Sequence, residues 1–347
     1  TTWVAGDAES PYSDEWNLSL RSALPRNSGF VSLTYTDRAY RNLMTAFVGL
    51  ACTDFGRCES PAGDRAAIPG GRFVDATVWD NDDRAKRDYE GLALQADYRP
   101  TARLAVGGNW TYAETKGNYE GEGSNTPASG SALGGRERAL PSIEFWAPYG
   151  FLSSDIRHRV NVYGTYRFDF GRLGSVSTSG IVNYRSGLPF SRFATVAAAT
   201  VPQYVSSGAQ GLSYSHFFDG RGNNRFPDVW SLDAALRYSV PVIWRLAPFI
   251  KIDVRNALDR DDVISYQTTG ASLVVNGVRQ WFPSGNASPV ILTGAQAGQP
   301  NPSYVASCDP NSSSFTPSTA CTGFGRISGA GNYQTPRSYL LTVGLQF

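Results

Sequence analysis

The chain has little of what most enzymes and most membrane-spanning helices are built from. Histidine occurs twice in 347 residues, at His158 and His216, and methionine once. No run of about 18 apolar residues exists, which excludes a transmembrane helix but not a membrane barrel, whose strands need only roughly 9 to 11 residues. An excess of one charge is missing too. With 31 Lys and Arg against 30 Asp and Glu the net charge is +1, so no global field would hold a polyanion, and nucleic acid is not an expected partner. The opening TTWVAGDAES has neither an initiator Met nor the basic-then-apolar pattern of a signal peptide, and reads as a mature or truncated piece.

Cysteine is scarce and local. Cys52 and Cys58 lie in ACTDFGRCES, and Cys308 and Cys321 in SCDPNSSSFTPSTACTG, among Gly, Ser, Pro, Asp and Thr with no His and no CxxC nearby. That setting argues against a zinc or redox centre. The reading is two loop-stapling disulfides, and hence an oxidising compartment.

What is present in quantity is aromatic residues and glycine: 18 Tyr, 18 Phe, 8 Trp and 36 Gly. These suit twisted strands joined by polar loops. Alternation of apolar and polar residues marks nine candidate strands, from YSDEWNLSLRSAL at the start to RSYLLTVGLQF at the end. One parity carries residues such as Leu18, Leu20, Leu33, Leu94, Val106, Val160, Val162, Phe168, Leu236 and Ile252. The other carries Asn17, Arg21, Arg103, Asn109, Asn161, Arg167, Asp169, Asn183, Arg185, Asp233, Arg237, Lys251, Asp253 and Arg255. So many charges do not fit a dry core, and a wet lumen accepts them. Tyr and Trp gather near strand ends (Trp16, Tyr98, Trp110, Tyr112, Tyr184, Trp230, Tyr238, Tyr339), as a girdle at lipid headgroups would.

The connections alternate in length. PRNS, RPTA, GRLG and PVIW are tight, whereas the segments 44–86, 116–156, 191–228 and 260–337 are long and rich in Gly, Ser, Asn, Pro and Asp. A soluble sandwich has no reason to segregate them so. An outer-membrane barrel does, with short periplasmic turns and long extracellular loops. The expected fold is therefore an all-β, antiparallel transmembrane barrel. Since nine strands do not close an even-stranded barrel, further strands are expected upstream.

Catalysis is not expected. No GxSxG occurs, GGNWTYAETKG lacks phosphate-loop spacing, and the carboxylate pairs Asp82 with Asp83 and Asp261 with Asp262 read as solvated loop charge. His158 reads as a rim residue and His216 as a loop residue. No metal or cofactor is expected in this piece.

SDIRHRVNVYGTYRF, SGIVNYRSGLPFS, RGNNRFPDVWSLDAALRYSV, FIKIDVRNALDR and FGRISGAGNYQTPRSYLLTVGLQF together resemble the C-terminal barrel portion of a TonB-dependent receptor, closest to the Oar-like branch. The resemblance implies that residues 1–347 form the last nine or so strands of a barrel of about 22 strands around a plug. It also implies ligand capture by extracellular loops, import coupled to the TonB complex through a missing N-terminal region, and a place in the bacterial outer membrane against its lipid. The final strand, with Tyr339, Leu341, Val343, Leu345 and Phe347 at alternate positions, is similar to the signal read by the barrel-assembly machinery. Candidate ligand contacts are the loop aromatics and their neighbours: Trp79, Trp146, Tyr149, Tyr204, Tyr214, His216, Phe217, Tyr266 and Trp281. The alternatives are a passive porin or adhesion barrel, a soluble all-β binding module, and a secreted β-rich hydrolase.

Overall fold

The structure, a computed structural model, describes residues 2–4, 8–48, 77–120, 147–197, 213–241 and 246–346. Nine strands run side by side in one antiparallel sheet: β1 (Tyr12–Ala23), β2 (Gly29–Arg41), β3 (Arg87–Tyr98), β4 (Leu104–Gly117), β5 (His158–Asp169), β6 (Ser175–Arg185), β7 (Val229–Ser239), β8 (Ala247–Arg255) and β9 (Ser338–Gln346), and a tenth, two-residue strand, Gly150–Phe151, pairs with the loop end of β4. Each of the nine pairs with the strand before and after it, so spatial order equals chain order, and among the described residues β1 and β9 are the open edges. A 12-residue strand such as β5 is about 40 Å long and, tilted by about 45°, crosses a hydrocarbon layer of about 28 Å. The chain is a partial barrel wall.

Register holds the two faces apart across the whole wall. Leu20, Leu33, Leu94, Trp110, Val160, Tyr184 and Trp230 face one another in an unbroken row from β1 to β7. Leu104, Tyr166, Thr178, Leu236, Ile252 and Leu341 make a second row, from β4 to β9. Among the described residues no second layer covers this face: Leu20 is 73% exposed, Val162 54% and Leu341 65%. A sandwich core would bury them, and the soluble-module reading fails on this point. On the other face Arg21, Ser32, Gln95, Asn109, Asn161, Asn183 and Ser231 stand in line. Its polar groups pair laterally. Asn161 donates to Asn109 (2.8 Å), Tyr163 to Asp97 (2.8 Å) and Thr36 to Asn17 (2.6 Å). Arg38 bridges across to Glu15, while Lys251 meets Asp253, two residues on in its own strand, at 2.6 Å.

The last strand obeys the same rule. Tyr339, Leu341, Val343 and Leu345 share the apolar parity and are all strongly exposed, while Phe347 lies outside the described residues. Leu340, the one break in the alternation, stands opposite Asp253 on the polar face. Gly344 is small for a reason. A Cβ there would come within 2.5 Å of the Phe249 ring, which lies across from it under the Arg237 guanidinium.

Sequence pattern overestimates strand length at the loop ends. The alternation of β8 runs on to Asp259, but the strand stops at Arg255 because Asn256 takes a left-handed backbone (φ +47°). Its buried amide donates to the Arg260 and Thr335 carbonyls (2.7 and 3.1 Å) and accepts from the Arg260 N–H (3.0 Å), clasping both ends of the fourth long connection. Asparagine suits this because its short polar side chain offsets the cost of that conformation. β6 likewise ends at Arg185 rather than near Phe190. Strand structure resumes inside the long connections, as antiparallel pairs Met44–Val48 with Thr77–Asn81, Phe193–Ala197 with Ser213–Phe217, and Gly270–Val275 with Val278–Pro283.

The fourth long connection, residues 256–337, has its own core. Cys308 and Cys321 are joined in a disulfide and fully buried beside Tyr266, Ala287, Phe324 and Ile327. Cys52 and Cys58 lie outside the described residues.

Two outcomes follow from this wall and its stapled loop. Val162→Arg should destabilise the protein folded in lipid vesicles by about 2–4 kcal/mol, whereas Ser179→Arg on the opposite face should cost under about 1 kcal/mol; denaturant titration in vesicles compares them. Cys308→Ser should cost the loop about 3 kcal/mol and open residues 256–337 to proteolysis while the wall stays resistant.

Candidate functional site

The long connections all leave the same end of the wall, and side chains join them edge to edge. Between the first and second, Tyr119 donates to the Met44 carbonyl (2.9 Å), and Asn118 donates to the Arg84 carbonyl (2.9 Å) and accepts from the Lys86 N–H (2.7 Å). Beside this joint Asp82, taken from sequence as a solvated charge, is instead buried, held by Arg84 (2.6 Å) and by the Thr45 hydroxyl (3.2 Å). Asp262 is likewise paired, with Arg260 (2.7 Å). Neither acidic doublet presents two free carboxylates.

Between the second and third connections lies a buried ionic clasp. Arg221 is 1% exposed; it donates to the Pro148 carbonyl (3.0 Å), pairs with Glu120 (3.3 Å) and lies over the Phe217 ring. Burial pushes its pKa down and the Glu120 carboxylate opposes that shift. Glu120 also receives the Ser153 backbone N–H (3.0 Å) and hydroxyl (2.7 Å). Asp155, fully buried, accepts from the Thr115 N–H (2.6 Å) and pairs with Arg225. Arg225 donates on to the Gly187 carbonyl (3.0 Å). The turn between the two arginines needs glycine: Gly222 has φ +65°, and a Cβ there would lie 2.2 Å from the Phe151 carbonyl.

Aromatic packing joins the third and fourth connections. Phe190 and Phe226 from the third pack tilted or edge-on against Tyr266 and Phe324 from the fourth, at centroid distances of 4.9 to 6.1 Å. Trp281 donates to the Phe193 carbonyl (3.3 Å), and Arg192 lies over the Trp281 ring. The four connections thus make one continuous belt along the outer rim.

The candidate ligand contacts fall at different places in this belt. Tyr266 and Phe217 are buried, Trp281 is partly buried against the same core, and burial pushes the Tyr266 phenol up to about 12. His216 is partly buried; burial, then Arg279, push its pKa down, and its ring meets Phe218 edge-on at 4.6 Å. Tyr149 is exposed and donates to Asp88 (2.9 Å), with burial of its phenol and that carboxylate both raising its pKa. Trp79 and Tyr214 lie in the strands Thr77–Asn81 and Ser213–Phe217. Trp146 and Tyr204 lie outside the described residues. His158 is at the rim, accepting from the Trp110 indole (3.3 Å).

Sequence reasoning missed Arg221, Arg225, Glu120 and Asp155. The one available signal was RGNNR itself, two arginines flanking a turn. It also missed a cavity of about 460 Å³ lined by Tyr12, Tyr40, Leu43, Arg87 and Tyr119, where wall and rim meet. Two further grooves of about 490 Å³ run along the polar face, one past Arg167, Asp169 and Arg237, the other past Tyr163, Asp233, Lys251 and Asp253. The arrangement offers tyrosine faces and guanidinium donors at the mouth above a hydrogen-bonding wall.

Residues 1–227 match the family model described as outer membrane beta barrel domain. No curated protein matches the chain. Among solved structures it is similar to FpvA of P. aeruginosa, in a complex with a heterologous pyoverdine and iron, at 12% identity and a TM-score of 0.41 over 75% of this chain and 25% of that one. It is similar to BauA, the ferric preacinetobactin receptor of Acinetobacter baumannii, at 10% identity and 0.39 over 74% and 27%. The outer membrane transporter YddB of Escherichia coli gives 13% identity and 0.45 over 76% and 31%. The chain therefore spans between 25% and 31% of the length of these three proteins. With an unbroken lipid-facing register across nine strands and a family match over residues 1–227, the chain belongs to the outer membrane β-barrel domain family and lies in the bacterial outer membrane.

Proposed function

We propose that this chain is the C-terminal part of a TonB-dependent receptor barrel, in which the extracellular loops capture a ligand that is then imported through the plugged lumen with TonB-coupled energy. The observation that carries this reading is the belt. Loops that merely fringe a passive pore have no need of a disulfide-stapled core, a buried ionic clasp and an aromatic joint, each of which lowers the entropy cost of holding a binding surface in one shape. Below it the wall presents hydrogen-bonding groups to whatever passes. The plug, the TonB contact and the Oar-like branch rest on the resemblance of the motifs. Among the candidate ligand contacts, Tyr149 stands open to solvent. Tyr266 and Trp281 serve ligand binding by shaping the belt.

Assembly is part of the same proposal. The β9 edge, unpaired among the described residues and apolar on one face, is a handle for strand addition by the barrel-assembly machinery.

Cells carrying or lacking the whole gene, supplied with radiolabelled ferric chelates and maltooligosaccharides, test the proposal. Accumulation of one of these that needs the gene and stops with a protonophore is expected. A steady conductance of the purified protein in planar bilayers, indifferent to energy supply, would favour the porin reading instead. Arg221→Ala removes a fully buried side chain and leaves the partly buried Glu120 with its Ser153 hydrogen bonds but no cation, and should cost the belt about 3 kcal/mol. Ligand binding at the cell surface should fall with it, while the heat stability of the wall is unchanged.

A further inference from the structure

The short turns carry a charge pattern for which ligand import has no use. Residues 24–28, 99–103, 170–174 and 240–246 contain Arg26, Arg99, Arg103, Arg172 and Arg245, and no Asp or Glu. Because the whole chain holds 31 basic and 30 acidic residues, acids outnumber bases everywhere else taken together. Positive charge is concentrated at one end of the wall.

Arg26, Arg99, Arg103 and Arg172 are all exposed. Arg103 has Asp169 at 3.4 Å. Among the described residues Arg26, Arg99 and Arg172 form no ion pair. The turns that hold them are ordered by backbone hydrogen bonds. The Arg99 N–H donates to the Ser28 carbonyl (2.6 Å), joining the first turn to the second, and the Arg167 N–H donates to the Arg103 carbonyl (2.9 Å), joining the second to the end of β5. Arg26 itself sits at φ +59°. The guanidinium groups therefore project from a connected row.

Their neighbours are apolar and exposed. Tyr98 adjoins Arg99, Leu173 follows Arg172 and is 72% exposed, and Phe170 and Leu246 extend the same edge of the lipid-facing band. Tyr238, at the foot of β7, donates to the Leu173 carbonyl (2.7 Å) and holds that turn against the band. Arg99 also lies within electrostatic reach of Tyr163 on the polar face, and a guanidinium in no ion pair one residue from hydrocarbon-facing side chains can reach the depth of lipid phosphates. Its planar fork of N–H donors matches phosphate oxygens in pairs.

We propose that the short-turn rim is a binding surface for anionic phospholipid headgroups of the leaflet it faces, with Arg26, Arg99 and Arg172 as the phosphate ligands. A lipid fits better than an acidic protein because Leu173, Phe170 and Tyr98 continue the lipid-facing band without interruption into the charged rim. This surface owes nothing to the captured ligand, and its test is separate from that of import.

The whole protein in nanodiscs of phosphatidylcholine, and of equal parts phosphatidylcholine and phosphatidylglycerol, is released gently and its retained lipids are counted by native mass spectrometry, with thermal midpoints taken alongside. Preferential retention of phosphatidylglycerol is expected. The triple variant Arg26→Gln, Arg99→Gln, Arg172→Gln should lose it by about a hundredfold, at roughly fivefold per arginine, and the matching triple Arg→Lys variant should keep most of it. Equal phosphatidylglycerol retention by the natural protein and the glutamine triple would overturn the proposal. So would equal loss in the lysine and glutamine triples, since backbone order in the turns rather than charge would then be responsible. Tighter binding of a polyglutamate peptide than of phosphatidylglycerol to the detergent-solubilised protein would also overturn it, in favour of an acidic protein partner.

Discussion

Hydrocarbon offers the peptide backbone no hydrogen bonds, and every other property of this wall follows from meeting that constraint with neighbouring strands. Once each strand must pair on both sides, its side chains divide by parity, and parity cannot change within a strand without a bulge. A single slip of register would carry Leu94 and Val162 into the lumen and Asn109 and Arg167 into lipid. The register avoids this from β1 to β9, where even the small residue at Gly344 is dictated by the ring opposite it.

Charge is distributed by the same division and used differently at each level. Along the lumen, carboxylates and guanidinium groups sit in water and pair weakly with neighbours across or along the strands, as Asp169 does with Arg103 across and with Arg167 in its own strand. In the outer belt each pair has one fully buried member, Arg221 with Glu120 and Asp155 with Arg225, and the pairs act as fixed joints whose partners cannot be removed singly. At the short-turn rim Arg26, Arg99 and Arg172 are in no ion pair among the described residues, next to apolar side chains at the membrane edge. One chemical group thus lines a wet channel, locks a loop and faces a leaflet, according to its surroundings.

The architecture separates what must be rigid from what must be accessible. Two kinds of joint hold the belt: ionic and hydrogen-bonded between the first three connections, aromatic between the third and fourth, with a disulfide stapling the fourth internally. Tyrosine faces at Tyr12, Tyr40 and Tyr149 stay near the mouth, while Tyr266 and Phe324 are given over to packing.

Much of the wall was legible in the sequence because a period of two is a local property. The parity of Val160, Val162 and Phe168 against Asn161, Arg167 and Asp169 needs no tertiary information, and neither does the division into short turns and long connections. The pairing of Cys308 with Cys321 was legible from their setting, and the arginines of the turns stand in the sequence for anyone who counts them. Where β8 stops was not legible, because that depends on Asn256 reaching Thr335 across the fourth connection. The belt was not legible either. Whether Arg221 is solvated or buried against Glu120, and whether Tyr266 faces a ligand or Phe226, depends on which distant segments meet, and alternation along a strand carries no information about contacts between loops.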